Sequence, residues 1–184
     1  MHRGNLVTTI YTEPEALGFS FAEISKLAEQ FASEIAFTPG RDIASVVESL
    51  GGSIAYEDFW NLEKSDSGSI RVEPEGDFRI TLPNHTARTR DRFTVGHELG
   101  HWFLHFLYPK STGKFPLGRG MEARRFGSGQ TETEANWFSA SLLMPRVAFI
   151  DAFNSCGTSI QAVADHFSVS MSAAAVRAKV LNLE

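Results

Sequence analysis

Two histidines and a glutamate stand at a spacing that suits hydrolytic metal chemistry, in His97-Glu98-Leu99-Gly100-His101. Residues four apart share one face of an α-helix. Both imidazoles can therefore reach one Zn²⁺, while the glutamate beside the first can take a proton from a water at the metal. The His and Glu frequencies of this chain give a chance occurrence of roughly 1–2% over its length, so the pattern stands above background. From Phe93 to Leu107 apolar residues run almost all the way round the expected helix, with Val95, Leu99, Trp102 and Phe106 in one stripe and Phe93, Phe103 and Leu107 in another. Such a helix is buried, and a buried helix carries two histidines and a glutamate only when something pairs with them.

A catalytic zinc takes three protein ligands and leaves the fourth position to water. One extended form of the motif places glycine three residues and histidine six residues after the second histidine, but Leu104 and Leu107 occupy those positions. The third ligand is then expected to be a carboxylate from a later helix, where Thr131-Glu132-Thr133-Glu134-Ala135-Asn136 offers two. Glu132 shares a face with Ala135, Asn136, Ser139, Leu142 and Leu143, the side that packs on a core. Glu134 points about 160° away on the same geometry. A capping box from Thr131 to Glu134 gives it another role. Glu132 is the better placed, with Glu134 as the alternative. Asn136, one turn beyond Glu132, is placed to hold a ligand histidine through its free ring nitrogen. His105 sits too far along the helix axis to complete the set, about 12 Å from His97. His105, Tyr108 and the Arg124-Arg125 pair are candidates for stabilising an oxyanion.

Two stretches together carry a resemblance. One is Arg92-Phe93-Thr94-Val95-Gly96-His97-Glu98-Leu99-Gly100-His101-Trp102-Phe103-Leu104-His105, and the other Glu132-Thr133-Glu134-Ala135-Asn136-Trp137-Phe138-Ser139-Ala140-Ser141-Leu142-Leu143-Met144-Pro145. They resemble the ImmA/IrrE family of metallopeptidases, and the likeness extends over most of the chain from about residue 20. The resemblance implies a small gluzincin-like zinc protease with His97, His101 and Glu132 as ligands and Glu98 as general base. It also implies a protein substrate, a helix-turn-helix transcriptional repressor cleaved during stress or in mobile elements. Two other readings compete: a non-proteolytic regulatory protein that keeps the zinc fold as a binding scaffold, and DNA binding through the C-terminal tail. Retention of Glu98 favours the protease, since a scaffold needs ligands but no base.

The elements that must position these residues are legible in outline. Ser20 and Glu23 form a capping-box spacing ahead of Phe21, Ile24, Leu27, Ala28, Phe31 and Ile35 at helical intervals. Pro39 opens a second helical stretch with Ile43, Val46, Val47 and Leu50 on one side, closed by Gly51-Gly52 before a strand at Ser53–Tyr56. After a loop at residues 66–69, Ile70 and Val72, then Phe78, Ile80 and Leu82, alternate with polar residues around Pro74-Glu75-Gly76-Asp77, a β-hairpin. If Phe78–Leu82 lies at the sheet edge, an extended substrate can pair with it; the alternative is a fully paired inner strand. Residues 109–130, with five glycines, two prolines and five basic side chains, read as a long irregular connection whose basic part could cover an acidic partner. The helix from Thr131 stops at Pro145. Thr158 with Gln161 caps another, and a last helix follows the turn Phe167-Ser168-Val169-Ser170.

The expected fold is α+β: a zincin-like domain with N-terminal helices, a short antiparallel sheet, the motif helix and a C-terminal helical bundle. A single domain over 1–184 is expected, with 1–19 a flexible lead-in and 157–184 a helix-turn-helix-like tail packed on the rest. The second tail helix offers only Arg177 and Lys179 as cations, few for phosphate contacts. The whole chain carries 22 acidic against 17 basic side chains, which disfavours a dedicated nucleic-acid binder. The charge is segregated all the same, since residues 79–125 hold nine basic and three acidic side chains. One cysteine, Cys156, excludes an internal disulfide. With no signal-peptide pattern and no membrane-length apolar run, the expected location is cytoplasmic.

Overall fold

Helix α1 (Phe21–Glu34) begins at the capping box: the Glu23 amide donates to Ser20 Oγ, and the Ser20 amide donates back to the Glu23 carboxylate at 2.8 Å. The computed structural model describes residues 9–57, 69–124 and 129–183. The second helix, α2 (Ile43–Ser49), starts later than Pro39 predicts, because the Asp42 carboxylate accepts from the Ala44 and Ser45 amides. Strand β2 (Gly52–Glu57) follows it directly. The hairpin forms as expected from β3 (Ser69–Val72) and β4 (Phe78–Pro83), with Val72 opposite Phe78 and Ile70 opposite Ile80. Of the loop expected ahead of it, residues 66–68 lie outside the described residues.

The sheet corrects one expectation and decides between two others. Among the described residues it has five strands in the order β1-β5-β3-β4-β2, and it is mixed rather than antiparallel, since β2 runs parallel to β4 and β1 (Tyr11–Thr12) parallel to β5 (Gly120–Arg124). Strand β4 is an inner strand, flanked by β3 and β2, so its main-chain groups are already used and no peptide can add to it. Strand β5 falls in the connection read as irregular. Only Met121 and Ala123 alternate inward there, too short a run to signal a strand.

The motif helix α3 (Arg88–Gly100) starts before Phe93 and continues into a π-helical stretch, His101–Leu107, closed by the short α4 (Tyr108–Ser111). Trp102 ties this stretch to the hairpin: its indole N–H donates to the Gly76 carbonyl at 3.3 Å, and its ring lies 5.0 Å from that of Phe78. Phe31, Phe103 and Phe138 join α1, the π-helical stretch and α5 (Gln130–Leu143) in one aromatic cluster.

Beyond Pro145 stands α6 (Arg146–Ser155), a helix missing from the expected elements. It is held by stacking of Phe149 on Phe167 of α7 (Ile160–Phe167). The cap of α7 is Ser159, one residue after the expected Thr158. In α8 (Met171–Val180), Arg177 is buried at 2% exposure, and its Nε donates to the Met144 carbonyl at the end of α5. Burial pushes its guanidinium down to about 10, still charged at neutral pH. One of the two cations the tail offered to DNA is therefore spent on packing. Of the lead-in expected to be flexible, residues 1–8 lie outside the described residues, while Tyr11–Thr12 is paired with β5. No helix among the described residues is long and apolar enough to cross a membrane.

Candidate metal centre

The site is made by a close crossing of α3 and α5. A methyl group on Gly96 would come within 2.6 Å of Ser139 Oγ, and one on Gly100 within 3.0 Å of the Ala135 Cα, so glycine on one helix and small residues on the other let the backbones approach. The Ser139 hydroxyl donates to the Phe93 carbonyl at 2.9 Å and locks the pair in register. Because each glycine immediately precedes a histidine of the motif, the same approach carries His97 and His101 against the first turns of α5.

Glu132 meets them there. His97 Nε2 and His101 Nε2 lie 3.1 Å apart, and the Glu132 carboxylate is 3.2 Å from the first and 3.1 Å from the second. One ligand atom from each of the three residues falls within 4.8 Å of the others. A tetrahedral zinc with bonds of about 2.0–2.1 Å to nitrogen has edges of about 3.3 Å between its ligands, so the spacing and the donor types fit that ion. The surrounding hydrogen bonds agree. His97 Nδ1 is 2.9 Å from Asn136 Oδ1 and donates to it, which leaves the Nε2 lone pair pointing at the centre.

The electrostatics favour the binding form. Burial drives the His101 imidazole down to about 4, helped by the neighbouring His97 and His105 and opposed by Glu132, so the ring is neutral at pH 7. Burial alone would raise Glu132, but its close contacts with His101 and His97 outweigh it and hold the carboxyl far below the usual carboxylate range. A neutral imidazole at His101 and a carboxylate at Glu132 result, and with His97 they make the donor set of a hydrolytic site rather than a thiolate structural one. Glu98 is buried on the same helix, between the two histidines in sequence.

Residues 48–179 match the family model described as the IrrE N-terminal-like domain, the M78 peptidases. The chain belongs to the ImmA/IrrE family of metallopeptidases. A comparison with curated proteins found no match. Among solved structures, this ImmA/IrrE chain is similar to a Mycobacterium tuberculosis transcriptional regulator, with a TM-score of 0.59 and 15% identity over 83% of this chain and 45% of that one. At that identity the likeness is one of fold, and this chain spans less than half of the regulator's length.

Glu134 does not cap α5. The helix begins after Gly129 with no side-chain cap, and Glu134 is fully buried. Its carboxylate accepts from the amides of Leu17 at 2.9 Å and Gly18 at 2.8 Å, and from His105 Nε2 at 3.0 Å. His105 in turn lies with Nδ1 3.0 Å from His101 Nδ1. It is therefore turned toward His101 and Glu134, which removes it from the oxyanion candidates. Tyr108 packs edge-on to Phe19, while Arg125 and the side chain of Arg124 lie outside the described residues. The helical step from His101 to His105 was the available signal for this second histidine contact. For Glu134 the capping spacing concealed it.

Proposed function

We propose that this metallopeptidase is a zinc-dependent endopeptidase of zincin-like architecture whose substrate is another protein, with a helix-turn-helix transcriptional repressor as that partner. The observation that carries the reading is the convergence of His97 Nε2, His101 Nε2 and the Glu132 carboxylate within 4.8 Å on two helices held at close range. The repressor follows from the family resemblance, and the fold shared with a transcriptional regulator is consistent with it.

His97, His101 and Glu132 would hold the zinc. When bound, zinc acidifies a water and polarises the carbonyl of the scissile bond. Asn136 keeps the His97 ring in the tautomer whose Nε2 is free to bind. Glu98, outside the ligand set, takes the proton at its carboxylate and passes it to the departing amine nitrogen. Burial of the cluster excludes bulk water and strengthens each of these interactions.

The test is co-expression of the protein with helix-turn-helix repressors of its host, with fragments read by mass spectrometry. Glu98→Gln is expected to retain about one zinc per chain and to slow cleavage by about 10²–10⁴-fold. A variant that cleaves as fast as the parent protein would sink the catalytic reading, and a parent protein that binds no metal would sink the whole account.

A further inference from the structure

Zinc binding through Nε2 places the proton of each ligand histidine on Nδ1, and the structure provides an acceptor for both. For His97 that acceptor is Asn136 Oδ1. For His101 it is a longer chain: His101 Nδ1 to His105 Nδ1 at 3.0 Å, and His105 Nε2 to Glu134 at 3.0 Å. Only one proton arrangement satisfies every contact while leaving the His101 Nε2 lone pair at the centre. His101 Nδ1–H donates to His105 Nδ1, and His105 Nε2–H donates to the Glu134 carboxylate. Glu134 is held in turn by the Leu17 and Gly18 amides, so three N–H groups fix its position.

We propose that His105 and Glu134 are positioning residues of the metal centre, a hydrogen-bonded relay that fixes the tautomer and orientation of His101 and anchors it to the segment before α1. The proposal rests on the metal-binding reading above. Both side chains are buried, His105 at 2% and Glu134 at 0% exposure, and both stand behind His101 rather than among the ligand atoms. A bare imidazole at position 101 could bind through either nitrogen, or turn about its ring bond. With the relay in place, Nδ1 is occupied and Nε2 alone faces His97 and Glu132. The π-helical register from His101 to Leu107 is the backbone on which the two rings meet. Widened turns of this kind often occur at functional sites. The N-terminal segment gains a role as well: Leu17 and Gly18 are part of the metal site's support, although they lie far from it in sequence.

The experiment uses the full chain with zinc and cobalt as probes. Zinc affinity is measured by competition with a chromophoric chelator, and site geometry by the visible spectrum of the Co²⁺ form. His105→Ala is expected to weaken zinc binding by about 10–100-fold and to change the cobalt spectrum. His105→Asn, which keeps an acceptor close to the position of Nδ1, is expected to recover most of that affinity. Glu134→Gln presents one carbonyl to three N–H groups and is expected to weaken binding in the same direction. The thermal midpoint of each metal-free variant records any loss of stability separately from affinity. Zinc affinity within twofold of the parent in His105→Ala would overturn the relay, as would equal weakening in the Ala and Asn variants, which would make position 105 a packing site. A parent protein that binds no zinc would overturn the metal reading itself, whereas equal binding in parent and variants overturns the relay alone.

Discussion

At the scale of single residues, the centre owes its chemistry to protons held in place. His97 and His101 each need Nδ1 occupied by an acceptor so that Nε2 is left to bind, and Asn136 supplies that acceptor for His97 at 2.9 Å. Removing it should cost affinity without dismantling the ligand set. Asn136→Ala is expected to weaken zinc binding by about 10–100-fold, measured by chelator competition. Asn136→Asp, which keeps the acceptor, should stay near the parent value. Glu132 was legible from its helix face, since it shares that face with Asn136, Ala135 and Ser139, and these three do meet His97, Gly100 and Gly96. Glu134 was misread for a physical reason. Its three-residue spacing from Thr131 is the same whether the glutamate caps its own helix or accepts amides from a segment more than a hundred residues away.

At the scale of elements, two helices and the distance between them decide the site. Gly96 and Gly100 lie one turn apart on α3, facing Ser139 and Ala135 on α5, which also lie one turn apart. A methyl group at Gly100 would meet backbone atoms of Ala135 at 3.0 and 3.1 Å, and backbone has no rotamer to escape into. Gly100→Ala is therefore expected to push α5 away and carry Glu132 out of reach. The expected cost is about 1–3 kcal/mol of stability, with zinc affinity falling in parallel, checked by chemical denaturation and chelator competition on one preparation. The motif histidines announced themselves in the sequence, but the close crossing did not, because glycine in a helix is equally compatible with a contact, a kink or a cap. The missed elements share a cause: β5 and α6 take their stability from neighbours, through pairing with β3 and stacking on Phe167, and carry weak local patterns.

At the scale of the whole molecule, folding and metal binding are linked. A ligand that binds only the folded state adds about 2.7 kcal/mol at a free concentration one hundred times its dissociation constant, which in a domain of this size raises the thermal midpoint by roughly 5–10 °C. Scans with zinc and with chelator at pH 7.5 should show that difference. The pH dependence of the metal-free protein has a definite sign. Folded His101 resists protonation down to about 4, while an unfolded histidine takes a proton near 6.5. Between these limits the unfolded chain binds more protons, so stability is fully present above pH 6.5 and declines as pH falls toward 4. The depressed Glu132 carboxyl acts the same way below its ordinary value, adding to the loss in stronger acid. Thermal midpoints of chelator-treated protein between pH 7.5 and 4.5 check the direction. Protons compete with zinc for the His101 nitrogen in the folded state, so the gain from zinc should shrink only as the pH nears 4.

What the amino-acid order determined by itself was local and periodic: the capping box of α1, the hairpin of Ile70 and Ile80, the buried motif helix, and the pairing of two histidines with a carboxylate one helix away. These follow from interactions within a few residues, or from a face that only one packing can bury. Tertiary structure alone decided which strand lies at the sheet edge, how closely α3 and α5 approach, and that His105 and Glu134 stand behind His101 with the Leu17 and Gly18 amides. Each of these depends on what arrives from elsewhere in the chain, and a hydrogen-bonding group carries no mark in the sequence of the distant partner that will satisfy it.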